Sequence, residues 1–135
     1  MAKLELVALV VREYEPAIRF FVDVLQFELV EDTPSLTNDG RPKRWVGVKR
    51  TGAQTGILLA RADGKDQVNV IGRQLAGRVG LFLRVEDFDE THQRMINAGV
   101  CLCQGPASSL TASSQFFLIR KATAGTCLVL TRGLI

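Results

Sequence analysis

The chain has 135 residues, 47% hydrophobic and 23% charged, which is the length of one domain and the composition of an ordinary soluble globule rather than a collagen, a disordered tail or a disulfide knot. The 17 Lys+Arg against 14 Asp+Glu leave a formal charge of only +3. The basic residues are scattered (Arg12, Arg19, Lys43, Arg61 and Arg73 among them), without the concentrated cationic stripe that neutralising several phosphates requires, so nucleic acid is not an expected partner.

The opening MAKLELVALVVREYE has a short apolar run broken by Glu5 and no small-residue cleavage site, so it reads as a strand rather than a signal peptide. No stretch approaches the ~20 uninterrupted apolar residues that span a bilayer, and a cytoplasmic protein without a membrane partner is expected. Three cysteines, Cys101, Cys103 and Cys127, are an odd number that argues against a disulfide framework. They read as small apolar fillers.

In chain order, residues 4–11 (LELVALVV) are β-formers. A helix over 14–25 follows, with Pro16 suited to its first turn, Glu13 and Glu15 to its positive end, and Ala17, Ile18, Phe21, Val22 and Leu25 on one apolar stripe. Residues 27–31 alternate as a strand, 33–42 (TPSLTNDGRP) have the composition of a loop, and strands 43–50 and 55–61 pair through the turn TGAQ. Residues 63–74 are polar, with a weak helical pattern. The order then begins again: strand 78–85, a helix in EDFDETHQRMINAG ended by Gly99, strand 100–104, the loop GPASSLTA, and strands in SSQFFLIR and TCLVLTR. Sliding the chain by 74 residues lays Val11, Glu13, Tyr14 and Glu15 over Val85, Asp87, Phe88 and Asp89, the mark of an internal repeat. The expected organisation is a single domain over 1–135 of α+β class: two βαβββ modules, about 3–62 and 78–133, joined by a connector over 63–77 and forming cupped mixed sheets.

This pattern, with LVALVVREYEPAIRFFVDVLQFELVED, RWVGV, TGILLAR and GRVGLFLRVEDFDETHQRMINAGV, resembles the glyoxalase, bleomycin-resistance and extradiol-dioxygenase superfamily, the vicinal oxygen chelate proteins. The likeness covers residues 3–105. It implies paired βαβββ modules, a homodimer, and a small-molecule pocket in each cupped sheet. Most enzymes of the family hold a divalent metal through His, Glu or Gln at four strand positions, which match Leu6, Leu58, Gly80 and a residue between Thr126 and Val129 here. None carries an imidazole or carboxylate, and Cys127 alone cannot supply three converging donors. No metal and no other cofactor is therefore expected. The spacing of 74 between Leu6 and Gly80 is that of the repeat, which supports their placement independently.

Alternate residues of a strand share a face. If Leu6 faces the cup, so do Ala8 and Val10; Leu58 carries Gly56 and Ala60 with it, and Gly80 carries Phe82 and Arg84. The candidate ligand-binding residues are Leu6, Ala8, Trp45, Leu58, Phe82 and Arg84. Arg84 either holds an anionic ligand group or pairs with Glu86 or Asp87, and Trp45 is either an aromatic wall or a core residue. His92, the one histidine, reads as a solvated helix residue off every ligand position, and the acids of VEDFDE read as helix-start charges. No catalytic set of Ser/His/Asp or Cys/His type and no phosphate loop is present.

The C-terminal stretch departs from the family, whose members finish with a pattern like EPYGxxAVFxDPxGNxWDL. This chain has SSLTASSQFFLIRKATAGTCLVLTRGLI. Codon degeneracy permits the frame offset by two bases to read EPYGKFAVFPDPEGNRWDLLGPYAR from about Ser108, so a frameshifted tail is one reading of it. Three functions are open at this point: a metal-independent small-molecule binder with an apolar cavity, a lyase, isomerase or dioxygenase of the same superfamily, and a folded relic with an altered tail. Whether the protein is an enzyme is left open by the residues.

Overall fold

The computed structural model describes residues 2–76, 80–99, 102–103, 116–119 and 128–132. The chain divides into two compact units between Ile71 and Gly72. The first holds β1 (Leu6–Val11), α1 (Tyr14–Arg19, continued as a π-helix over Phe20–Val24), β2 (Glu28–Leu36), β3 (Pro42–Lys49), β4 (Gly56–Arg61) and α2 (Lys65–Val70). The second holds β5 (Leu81–Val85), α3 (Phe88–Asn97), β6 (Leu102–Cys103), β7 (Phe116–Ile119) and β8 (Leu128–Arg132).

Each unit contains a four-stranded mixed sheet, in the orders β1-β4-β3-β2 and β5-β8-β7-β6. The first strand of each set runs parallel to the last, and the other pairs are antiparallel. The observed class is thus α+β with mixed sheets, as the sequence pattern predicts.

In α1, Glu13 is extended (φ −144°) and Glu15 sits in the first turn while Arg19 lies in the last, charges that complement the helix dipole. The spacing predicts one regular helix over 14–25, but its second half widens. Leu25 N–H donates to the Phe20 carbonyl at 3.1 Å and Phe27 N–H to that of Phe21 at 2.8 Å. Phe20 and Phe21 are both buried, meet edge to face at 5.4 Å, and Phe21 meets Phe27 in the same manner at 5.2 Å. Ala17, Phe20, Phe21, Val24 and Leu25 thus form one buried stripe at spacings of three and four.

Residues 33–36 correct the loop expected over 33–42. They extend β2, pairing Thr33, Pro34, Ser35 and Leu36 with Trp45, Arg44, Lys43 and Pro42. Pro34 is tolerated because β2 is an edge strand and because the N–H of its partner Arg44 points away from β2, to the Tyr14 hydroxyl. Opposed residues of an antiparallel pair face their backbone groups the same way, both inward or both outward. The N–H that proline lacks would thus have faced solvent. The remaining turn is tight: Gly40 N–H donates to the Thr37 carbonyl at 3.0 Å and Thr37 N–H to that of Arg41 at 2.8 Å, with Gly40 at φ +83°, a conformation open to glycine at no steric cost.

The core of the first unit lies between α1 and one sheet face, built by Val11, Ala17, Phe21, Leu25, Val46, Val48 and Leu59. In the second unit Val85, Phe88, Thr91 and Met95 are buried. Helix α3 ends as predicted at Gly99, which has φ +72°. No helix among the described residues is long and apolar enough to cross a membrane.

Candidate functional site

The parity of β1, β3 and β4 sorts the first sheet into two faces. Leu9, Val11, Val46, Val48 and Leu59 are buried on the face under α1. The other face carries Leu6, Ala8 and Val10, then Leu58 and Ala60, then Lys43, Trp45 and Gly47. Register joins Ala8 to Leu58 and Leu58 to Gly47, which lays Leu6, Ala8, Leu58 and Trp45 along one surface.

Strands β3 and β4 pair through Val46↔Leu59, Gly47↔Leu58 and Val48↔Ile57, while β3 itself begins at Pro42 and β4 runs on to Arg61. Beyond Val46 and Leu59 the two strands therefore separate, each held by its other neighbour: β3 by β2 through Leu36, and β4 by β1 through Arg61. A cavity of about 560 Å³ occupies this fork. Its apolar wall includes Trp45, Leu58 and Ala60, and its lining continues over Tyr14, Lys43 and Gln67.

Two arginine clusters frame the fork. At the tip of the β2–β3 turn, Arg41 forms a two-pronged pair with Asp63 (Nη1–Oδ1 2.9 Å, Nη2–Oδ2 2.7 Å) and also reaches Asp39 at 3.0 Å. This pair ties the turn to the end of β4. Asp63 is further fixed by its N–H, which donates to Gln67 Oε1 of α2 at 2.8 Å. Hydrogen bonding from Arg41 lowers the Asp63 pKa, and bonds from Thr37 and then Arg41 lower that of Asp39.

On the helix side Arg44 pairs with Asp32 and, at 2.6 Å, with Glu15. The Arg44 hydrogen bond holds the Asp32 carboxyl below the usual carboxylate range. The Arg44 and Arg61 guanidinium carbons lie 5.1 and 5.2 Å from the centre of the Tyr14 ring, within cation–π range. Tyr14 also accepts the Arg44 backbone N–H on its hydroxyl at 3.1 Å.

Of the six candidate ligand-binding residues, Trp45 and Leu58 line the cavity. Leu6 and Ala8 share its sheet face without lining it. Phe82 and Arg84 lie in the second unit, on one face of β5, both exposed and Phe82 by 60%. Asp87 pairs with Arg94 at 3.3 Å rather than with Arg84, which has no ion pair among the described residues. His92 is half-buried and stacks on Phe88, ring centroids 6.4 Å apart.

Tyr14, Lys43 and the Arg41–Asp63 pair were not singled out as site residues by the sequence. Lys43 was within reach, because it stands two residues before Trp45 and shares its face.

The three described positions that the family resemblance matches to metal ligands carry no donor side chain. Leu6 and Leu58 offer hydrocarbon, and Gly80 has no side chain. Among the described residues no group of three or more His, Cys, Asp or Glu converges. The fourth position, between Thr126 and Val129, includes Thr126 and Cys127, which lie outside the described residues, as does Cys101.

The family model of the Glyoxalase/Bleomycin resistance protein/Dioxygenase superfamily matches residues 3–121. The chain belongs to this superfamily. A superfamily member from Sphaerobacter thermophilus superimposes with a TM-score of 0.69 at 23% identity, covering 98% of each chain. TnmS3, an antibiotic binding protein from Streptomyces sp. CB03234, does so with a TM-score of 0.70 at 24% identity, over 99% of this chain and 98% of that one. TioX from Micromonospora sp. ML1 gives 0.64 at 21% identity, over 98% and 100%. These three likenesses are of fold. In sequence, an uncharacterized protein from Shewanella frigidimarina is 43% identical over 101 residues, 74% of this chain and 73% of that one.

Proposed function

We propose that this superfamily member is a metal-independent small-molecule-binding protein that captures its ligand in the fork cavity of the first sheet without chemical change. The observation that carries the reading is the cavity of about 560 Å³ walled by Trp45, Leu58 and Ala60, within the ~300–1,000 Å³ range of ligand pockets and with their usual apolar lining and few placed polar groups. Leucine at two of the positions where metal-bearing relatives need donors, and glycine at a third, favours capture over Lewis-acid chemistry. The antibiotic-binding TnmS3 shares the fold, which makes sequestration of an antibiotic-like molecule the natural form of this activity. In this reading the two βαβββ modules pair, the protein works as a cytoplasmic homodimer, and Leu6, Ala8, Phe82 and Arg84 complete the ligand surface.

Native mass spectrometry of the freshly purified protein tests this. The expected result is a metal-free dimer that retains an organic mass, which is lost on replacing Leu58 with Glu. A stoichiometric metal ion would return a lyase, isomerase or dioxygenase to the front.

A further inference from the structure

Four cations line the fork cavity: Arg41, Lys43, Arg44 and Arg61. Three are already answered. Arg41 is held by Asp39 and Asp63, Arg44 by Glu15 and Asp32, and Arg61 lies 3.9 Å from Glu13 and against the Tyr14 ring. Lys43 is half-buried, and its ammonium group has no ion pair or hydrogen bond among the described residues. It stands on the same face of β3 as Trp45, two residues and about 7 Å away along the strand.

We propose that the cavity takes a planar aromatic anion, its ring system against Trp45 and its carboxylate, sulfonate or phenolate oxygen on Lys43 Nζ. This deepens the binding function above and rests on it. The apolar wall of Leu58 and Ala60 gives Lys43 a poorly hydrated flank, where a cation attracts an anion more strongly than in bulk water. The Asp39–Arg41–Asp63 cluster carries one net negative charge. It lies at the mouth, with Arg41 56% and Asp39 65% exposed, where water and salt screen it. The side chains of Lys43 and Trp45 thus match a ligand with a charged substituent one ring's breadth from its stacking face.

The test uses two probes that share an anilinonaphthalene body: 8-anilinonaphthalene-1-sulfonate, which carries an anion, and N-phenyl-1-naphthylamine, which does not. Trp45 is the one tryptophan of the chain, so energy transfer from it reports probe binding, and the part that Leu58→Glu in the cavity wall abolishes is binding at this cavity. The intact protein is expected to bind the sulfonate at least about tenfold more tightly than the neutral probe, the weight of one charge-assisted contact. Lys43→Met lowers the sulfonate's affinity at least about tenfold more than the neutral probe's and so removes the preference, whereas Lys43→Arg keeps it. Lys43→Gln replaces the methionine variant should that one not fold. Equal affinities in the intact protein, unmoved by Lys43→Met, overturn the anion assignment and leave the binding function standing. Absence of saturable transfer from Trp45 to either probe overturns both.

Discussion

The hydroxyl of Tyr14 accepts the backbone N–H of Arg44 at 3.1 Å. A continuous β3–β4 ladder would have delivered that N–H to the carbonyl of Arg61, since Val46↔Leu59 is the last pair before the strands part and alternate residues of a strand point their backbone groups to the same neighbour. A side chain of α1 thus takes up the hydrogen bond that the fork sacrifices. This keeps the opening compatible with a satisfied backbone.

Phenylalanine at position 14 keeps the ring and its two guanidinium contacts but strands the Arg44 amide. The expected loss is ~1–3 kcal/mol, the cost of leaving a partly buried donor unpaired. Urea denaturation of Tyr14→Phe measures it. A loss indistinguishable from zero would show that water replaces the hydroxyl.

Phe21 is a central packing residue, 1% exposed, whereas Phe82 is 60% exposed on β5. Phe21→Ala should destabilise by ~3–5 kcal/mol and Phe82→Ala by no more than ~0.5 kcal/mol. Equilibrium unfolding of the two variants separates a core ring from a surface one, although sequence patterning gives both the same apolar character.

Three carboxylates around the fork, Asp32, Asp39 and Asp63, have folded pKa values below the ordinary 3.8, through hydrogen bonds from Arg44, from Thr37 with Arg41, and from Arg41 respectively. The unfolded chain therefore binds more protons than the folded one in acid. The stability that these groups contribute is present in full above the ordinary carboxylate value and is lost as pH falls through their folded values. Thermal melts below about pH 4 should show a falling midpoint, with a smaller drop for Asp63→Asn than for the intact protein. An unchanged drop would mean that water screens the Arg41 pair to insignificance.

The C-terminal stretch from about Ser108 departs from the ending that the family resemblance implies. We expect the coding DNA from about Ser108, read two bases over, to spell EPYGKFAVFPDPEGNRWDLLGPYAR. Codons that cannot do so remove the frameshift. Should they do so, restoring the frame is expected to raise the melting temperature, because the last two strands then carry the residues with which the rest of the second sheet is matched in the family.

Much of the architecture was legible because it follows from local periodicity. The offset of 74 between Tyr14 and Phe88 marks the starts of α1 and α3, and alternation placed β1, β3, β4 and β5 to within a few residues. The strand character of residues 33–36 was hidden, since Thr-Pro-Ser carries turn chemistry and only the edge position of β2 makes it harmless. At the site, parity put Leu6, Ala8 and Leu58 on one face. Applied to β3 as well, it would have put Lys43 beside Trp45.

The sequence by itself determined the superfamily, the mixed α+β class and the lack of metal-donor residues at Leu6, Leu58 and Gly80, because these depend on residue types at fixed intervals along the chain. Tertiary structure alone decided that β3 and β4 part beyond Val46 and Leu59, that Tyr14 fills the missing hydrogen bond, and that Arg41, Arg44 and Arg61 are answered while the Lys43 ammonium has no ion pair among the described residues. Those relationships join residues as far apart as Arg41 and Asp63, or Tyr14 and Arg44, and no local spacing encodes which charges meet once the chain has folded.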